Sequence, residues 1–89
     1  MASWPTPTER PMIFTTSWCP YCARLKSGLE RTGVAYDETD VEADDAAAEY
    51  VMSVNAGNRV VPTVLFPDGS TATNPAPAVV ADRLGAAAR

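Results

Sequence analysis

The sequence predicts one α/β domain in which a small mixed four-stranded sheet is flanked by three helices. The chain has 89 residues, enough for one domain. Short β-favouring runs alternate with helix-like segments in the order β-α-β-α-β-β-α. The first βαβ unit makes two parallel strands with a right-handed crossover. The turn signal Pro67-Asp68-Gly69-Ser70 makes the last two strands an antiparallel hairpin.

The first half of the chain supplies a strand, a helix and a second strand. Met12 to Thr16 is short, apolar and rich in β-favouring residues, which predicts a buried strand. Pro20 to Arg31 predicts a helix, because two leucines lie four residues apart on one face, and Gly33 ends it. Val34 to Thr39 alternates in part, so it is predicted as the second strand.

The second half supplies a helix, a hairpin and a last helix. The Ala-rich segment from Ala43 to Ser53 is acidic at its first turn, which predicts the second helix. Thr63 to Phe66 is an apolar third strand, and Ser70 to Ala72 has room only for a short fourth strand. Asn74 is predicted as the N-cap of a last helix that runs from Pro77 to Leu84.

Charge and composition exclude several classes of function. The chain carries 7 Lys plus Arg against 11 Asp plus Glu, a net charge of -4, and no basic run that would bind nucleic acid or a membrane surface. Residues 1–10, rich in Pro and Thr, predict a loose leader before a domain at residues 11–89. The leader has no apolar stretch of the signal-peptide type, and no segment reaches the ~20 apolar residues of a membrane span. We therefore expect a cytoplasmic protein that is a monomer.

Two cysteines, Cys19 and Cys22, are the candidate catalytic residues. With 2 Cys and 0 His, the chain has neither a Cys–His protease pair nor a His-bound metal site. Two cysteines supply only half of a four-cysteine zinc site, so we predict no metal. Disulfides in the cytoplasm are usually transient and catalytic rather than structural. The spacing C-x-x-C, after a strand and at the start of a helix, predicts thiol–disulfide exchange.

The predicted helix gives the two cysteines unequal roles. Pro20 suits the first helical position because its missing N–H would have no partner there, which makes Cys19 the N-cap. Its sulfur then accepts from the N–H of Tyr21 or Cys22, and the helix dipole favours its thiolate. We predict a lowered pKa for Cys19, which makes it the attacking sulfur. Cys22 lies one turn inside the helix, where greater burial suits a resolving thiol.

Three segments of the chain carry a resemblance to a known family. They are Trp18-Cys19-Pro20-Tyr21-Cys22, the pair Val61-Pro62 before the third strand, and the turn Asp68-Gly69. Together they resemble the glutaredoxin family, which has the thioredoxin fold. The resemblance extends from Met12 to Leu84, nearly the whole predicted domain.

The resemblance implies roles for four residues. Cys19 would be the nucleophile and Cys22 the resolving thiol. Pro62 would be a cis-proline beside the active site, although its place at a strand start would by itself fit an ordinary trans-proline. The backbone of Val61 would pair with the backbone of a bound substrate.

Three more residues are candidate substrate contacts, each with an alternative. Tyr21 either packs against an incoming thiol compound or faces solvent. Trp18 either shields Cys19 from water or covers the apolar core. Asn74, besides capping the last helix, is placed to touch a low-molecular-weight thiol.

The identity of that thiol follows from two further segments. Residues 51–62 and 68–75 look like the mycoredoxins, actinobacterial relatives that use mycothiol in place of glutathione. Glutathione-dependent glutaredoxins usually carry a Gly-Gly pair after the fourth strand, which helps to hold the glutathione carboxylate. This chain has Thr73-Asn74-Pro75 there. The resemblance implies mycothiol as co-substrate, with glutathione as the alternative, no tightly bound cofactor, and proteins with mixed disulfides as partners.

Two other functions remain open at this point. A redoxin that donates electrons to ribonucleotide reductase, and is recharged by thioredoxin reductase, tends to carry an aromatic-Ser-Gly-Phe-Arg-Pro stretch late in the chain. This sequence lacks that stretch. A carrier that holds an iron–sulfur cluster between two chains through Cys19 is disfavoured by Pro20, on the same resemblance.

Overall fold

Four strands form one mixed sheet in the order β2-β1-β3-β4 in the computed structural model, which describes residues 4–87. Strand β1 pairs in parallel with β2 and antiparallel with β3, and β3 pairs antiparallel with β4. The predicted fold class and element order are confirmed. The elements are β1 (Met12–Thr15), α1 (Pro20–Arg31), β2 (Asp37–Asp40), α2 (Asp45–Val54), β3 (Thr63–Leu65), β4 (Thr71–Thr73) and α3 (Pro77–Ala87).

The core is divided between the two faces of the sheet, because successive side chains of a strand point to opposite faces. Ile13 and Val64 are register partners and pack into one cluster with residues of α1 and α3. Phe14 and Leu65 belong to the other cluster, with residues of α2. The first cluster contains Ile13, Leu25, Leu29, Val64, Phe66 and Val80; the second contains Phe14, Val41, Ala47, Ala48, Tyr50, Val51 and Leu65.

The predicted leader contributes to the second cluster. The ring of Trp4 lies edge-on to that of Phe14, with their centroids 5.2 Å apart, and 6.5 Å from that of Tyr50. Residues 1–3 of the leader, and the last two residues of the chain, lie outside the described residues. Within residues 4–87, no helix has the length and apolar character needed to cross a membrane.

Strand β2 begins three residues later than the sequence predicts. Gly33 has a φ of 76°, and the N–H of Val34 donates to the Leu29 carbonyl at 2.9 Å. The left-handed Gly33 and this hydrogen bond end helix α1, as glycines after a helix C-terminus often do. Pairing with β1 starts only at Asp37, whose N–H donates to the Pro11 carbonyl at 3.0 Å.

The other element bounds shift by smaller steps, except at the end of α3. Helix α2 begins after Asp44, whose Oδ1 accepts from the N–H of Ala47 at 3.1 Å. A carboxylate that caps in this way fixes the first turn of a helix. Strands β1 and β3 each end one residue early, β4 is displaced by one residue, and α3 continues to Ala87.

The prediction that Asn74 caps α3 is wrong. Asn74 has a φ of 48°, in the left-handed region that Asn tolerates better than most residues. The following Pro75 disfavours a right-handed helical conformation for it. Its N–H donates to the Pro62 carbonyl at 2.8 Å. Helix α3 starts at Pro77, and its first turn donates to the carbonyl of Ala76.

Helices α1 and α3 approach closely at Gly28. A Cβ added to Gly28 would lie 2.8 Å from Cβ of Pro77, and nearer still to its Cγ. Real Cβ atoms do not come this close to a neighbour, and the Pro77 ring is too rigid to move aside. Gly28 therefore fixes how closely α3 and the loop before it sit against α1.

Replacing Gly28 by Ala should destabilise the protein. Overpacking of this kind costs about 1–3 kcal/mol, and the better helix preference of Ala offsets roughly 1 kcal/mol of that. Gly85→Ala is the matched control, because Gly85 lies in α3 with nothing within 4 Å of an added Cβ. Urea unfolding should give a lower midpoint for Gly28→Ala and an equal or higher one for Gly85→Ala. An equal rise in the urea midpoint for both variants would contradict the close approach of Gly28 and Pro77.

Candidate active site

Cys19 lies where the chain leaves β1 and helix α1 begins. Its backbone is extended, with φ −80° and ψ 118°, and Pro20 is the first helical residue. The N–H of Ala23 donates to the Cys19 carbonyl at 3.1 Å, which closes the first turn. The predicted N-cap position is confirmed. The capping hydrogen bond to sulfur is not formed in this dithiol state, as expected of a neutral thiol, which is a weak acceptor.

The surroundings of Cys19 favour its thiolate. Burial opposes ionisation, since Cys19 is only 6% exposed. Once Cys19 ionises, the backbone N–H and the thiol of Cys22 and the N–H of Tyr21 can donate to its sulfur, which outweighs that burial and holds the pKa of Cys19 below its ordinary value. The predicted direction of the pKa shift is confirmed.

Cys22 has the opposite tendency. Its side chain is fully buried, and burial raises the pKa of its thiol above the ordinary value. The nearby Cys19 raises it further, whereas the Thr15 hydroxyl and the Thr16 N–H act in the other direction. The one-turn spacing thus places an acidic and a weakly acidic thiol next to each other. Within residues 4–87, no group of three or more His, Cys, Asp or Glu side chains is arranged to hold a metal ion.

Val61 and Pro62 lie beside Cys19. The peptide bond between them is cis, as predicted. Pro62 is fully buried, and the Cys19 thiol points at the Val61 carbonyl with sulfur and oxygen 3.9 Å apart. The structure therefore brings together the N-cap sulfur and the loop that the sequence placed next to it.

Sequence reasoning missed Asn55, which holds this loop in place. Its Nδ2 donates to the Val51 carbonyl at 2.7 Å and to Thr63 Oγ1 at 3.2 Å. Its Oδ1 accepts from the Thr73 hydroxyl at 2.6 Å. One side chain thus connects α2 to the start of β3 and to the end of β4. No local signal identifies it, because its side chain joins three elements that only the folded structure brings together.

Tyr21 and Asn74 line one cleft beside the start of α1. The cleft has a volume of about 240 Å³. Tyr21 is 55% exposed, and the Arg24 guanidinium carbon lies 5.9 Å from its ring centroid. Tyr21 thus faces solvent and lines a cleft at the same time. The lining residues are Tyr21, Arg24, Leu25, Asn74, Pro75, Ala76 and Pro77.

Trp18 does not cover the apolar core, which excludes one of its two interpretations. Its side chain is 68% exposed, and its Nε1 donates to Glu42 Oε1 at 2.8 Å. Glu42 belongs to the acidic segment before α2. The hydrogen bond fixes the indole on the surface next to the N-cap cysteine.

The fold and the paired thiols define a class, that of small thiol–disulfide oxidoreductases with a thioredoxin-like fold. Within that class, the family model described as Glutaredoxin matches residues 12–70. The chain therefore belongs to the glutaredoxin family, whose members act on low-molecular-weight thiols and protein disulfides.

Relatives and a solved structure support this assignment. Mycoredoxin 1 of Corynebacterium glutamicum is 51% identical over 76 residues, which span 85% of this chain and 94% of the relative. A protein of Mycobacterium tuberculosis named as a glutaredoxin is 65% identical over 63 residues, 71% of this chain and 75% of the relative. The crystal structure of a thioredoxin-like protein superposes with a TM-score of 0.62 at 29% identity, covering 84% of this chain and 99% of that one.

The two thiols should react with iodoacetamide at different pH. A lowered pKa means that the thiolate forms at lower pH, so the Cys22→Ser variant should show a rate midpoint below the ordinary Cys pKa of about 8.5. The Cys19→Ser variant should show a midpoint above it and react slowly, because Cys22 is buried. Coincident pH profiles for the two single-cysteine variants would contradict the unequal acidity.

Proposed function

We propose that this protein reduces mixed disulfides between proteins and mycothiol in the cytoplasm, with Cys19 as the nucleophile and Cys22 as the resolving thiol. The observation that carries the proposal is the placement of Cys19 at the N-cap of α1 and of the fully buried Cys22 one turn inside it, which shifts the pKa values of the two thiols in opposite directions. Both cysteines are free thiols in the structure. The identity to Mycoredoxin 1 supports mycothiol as the co-substrate.

The reaction begins with attack by the Cys19 thiolate on the mycothiol sulfur of the mixed disulfide. The bond from mycothiol to the protein substrate breaks, and the substrate sulfur leaves as a thiolate that takes up a proton. A second mycothiol thiolate then attacks the mycothiol on Cys19, which releases mycothiol disulfide and the Cys19 thiolate. This monothiol route does not need Cys22. Alternatively, Cys22 attacks Cys19 and closes an intramolecular disulfide.

The loop at Val61 and Pro62 would receive the substrate backbone. In the dithiol state the Val61 carbonyl faces the Cys19 thiol at 3.9 Å. Ionisation of Cys19 removes that donor, and the carbonyl is then free to accept from an incoming backbone N–H. The half-buried Val61 and the buried Pro62 would therefore contact the substrate but take no part in the chemistry.

The cleft of Tyr21 and Asn74 would receive the low-molecular-weight thiol. It includes Tyr21, two residues after Cys19, is lined by polar and apolar side chains, and has room for part of a small thiol. The exposed indole of Trp18, held by Glu42, would extend this surface toward the protein substrate. Nothing in the proposal requires a second copy of the chain, so we propose a monomer.

The test compares two mixed disulfides of one small carrier, one with mycothiol and one with glutathione. We expect turnover of the mycothiol substrate to be at least about tenfold faster, a difference of about 1.4 kcal/mol in the barrier. The physical reason is that Thr73-Asn74-Pro75 offers no Gly-Gly pair to hold the glutathione carboxylate. Equal or better use of glutathione would sink the mycothiol assignment.

Two serine variants are the controls for this assay. Cys19→Ser should abolish turnover of both substrates, since it removes the attacking sulfur. Cys22→Ser should keep part of the activity through the monothiol route. Complete loss of activity in Cys22→Ser would refute that route and leave the dithiol reaction as the mechanism.

A further inference from the structure

A second cleft lies behind the cysteine pair, next to the resolving thiol. Its volume is about 300 Å³, and all of its lining side chains are polar. Two of them, Thr15 and Thr16, also adjoin Cys22, since the Thr15 hydroxyl and the Thr16 N–H act to lower the pKa of its thiol. The buried thiol is therefore one side chain away from this cleft. The lining residues are Thr15, Thr16, Ser17, Lys26, Glu38 and Asp40.

An ion pair forms one wall of the cleft. Lys26 Nζ lies 3.0 Å from Glu38 Oε2, and the Lys26 side chain is only 26% exposed. Lys26 follows Cys22 by four residues on α1, so the two side chains lie on the same face of the helix. The hydrogen bond to Glu38 raises the pKa of Lys26 and keeps it protonated.

Lys26 and Cys22 interact electrostatically. A negative charge on Cys22 raises the pKa of Lys26 further. Such coupling is reciprocal, so the Lys26 cation, one turn along α1, favours the Cys22 thiolate, while burial remains the larger influence on that thiol. Cys22 shares the buried face of α1 with Leu25 and Leu29, which offer no charge and no donor.

Thr16 adds a hydroxyl to the same cleft. The residue is 3% exposed, and its Oγ1 has no hydrogen-bond partner among residues 4–87. The neighbouring Thr15 hydroxyl makes only a long bond of 3.3 Å to the Thr16 carbonyl. A buried polar group without a partner is costly unless it serves a purpose. Both hydroxyls belong to residues that line the same cleft as the ion pair.

We propose that Lys26, held by Glu38, is a positioning residue for the resolving step, in which it stabilises the Cys22 thiolate that forms when the thiol proton leaves for solvent through the polar cleft. The proposal rests on the resolving role that the proposed function gives to Cys22. It concerns this one step and predicts no effect on the attack by Cys19.

The step balances as follows for any mixed disulfide on Cys19. Cys22 loses its proton to solvent through the cleft, and its thiolate attacks the Cys19 sulfur. The Cys19–Cys22 bond forms as the bond from Cys19 to the bound thiol breaks, so the cysteine pair is oxidised and the bound thiol is reduced. The leaving thiolate carries the electron pair away and takes up a proton.

The other charged groups around Cys22 determine when its thiolate forms. The Cys19 thiolate opposes ionisation of Cys22, but a mixed disulfide on Cys19 removes that charge. Asp40 lines the cleft from β2, and its negative charge opposes ionisation of Cys22. The charge of Glu38 is neutralised by Lys26. Glu30 lies near Tyr36 rather than in the cleft. Lys26 is thus the one cation in the cleft lining, and it acts most effectively after Cys19 has reacted.

The test uses dithionitrobenzoate, an aromatic disulfide that releases a coloured thiol, in amounts below one equivalent. The first release reports attack by Cys19, and the second reports resolution by Cys22. Lys26→Gln should slow the second release roughly threefold to tenfold at neutral pH. Its pH midpoint should rise by about 0.5 to 1 unit, because a supporting cation is lost. The first release should be unchanged.

Three variants accompany this measurement. Lys26→Arg keeps the cation and should restore the second release, whereas Glu38→Gln should slow it less than Lys26→Gln does. Arg31→Gln removes an exposed cation from the far end of α1 and should change neither release. The unchanged first release in each variant shows that the protein is folded.

Two results would overturn the proposal. One is a second release in Lys26→Gln with the rate and pH midpoint of the wild type. The other is an equal slowing of both releases, which would indicate a structural effect of the substitution. Because the probe contains no mycothiol, failure of the mycothiol assignment would leave this result unaffected, and the two failures are distinguishable.

Discussion

The start of helix α1 immediately after β1 is the constraint on which the rest of the site depends. Pro20 allows the helix to begin at that point, so Cys19 becomes its N-cap and Cys22 falls one turn inside. The N–H groups of Tyr21 and Cys22 are then directed at one sulfur, while the other is buried against the core. Two chemically identical side chains thereby acquire different acidity. In thiol–disulfide exchange, that difference decides which sulfur attacks.

The loop at Val61 and Pro62, which faces Cys19, is held in position by contacts between separate elements of the fold. Asn55 links α2 to β3 and β4, and the Asn74 N–H donates to the Pro62 carbonyl. Gly28 lets the loop before α3 approach α1. These contacts are structural, but they set the distance between the sulfur and the surfaces that would receive a thiol and a substrate backbone. The glutaredoxin chemistry thus depends on groups that never touch the reacting atoms.

Local signals were sufficient to predict α1 to the residue, since Pro20 marks its start and Gly33 its end. They also gave the topology, the N-cap position of Cys19 and, through the family resemblance, the cis bond at Pro62. Local signals failed where contacts between different elements determine the structure. The Asn74 backbone is set by its bond to Pro62, and the partners of Asn55 come from three elements. The pairing of Lys26 with Glu38 joins a helix to an edge strand, and no local pattern in either segment indicates it.

The most direct test of the account is to find which sulfur reacts first. Reduced wild-type protein is mixed with a small amount of mycothiol disulfide and quenched in acid at increasing times, and the adduct is located by tandem mass spectrometry. The account predicts that the earliest adduct lies on Cys19, followed by the Cys19–Cys22 disulfide or by release with a second thiol. An earliest adduct on Cys22, or equal labelling of both sulfurs, would contradict it.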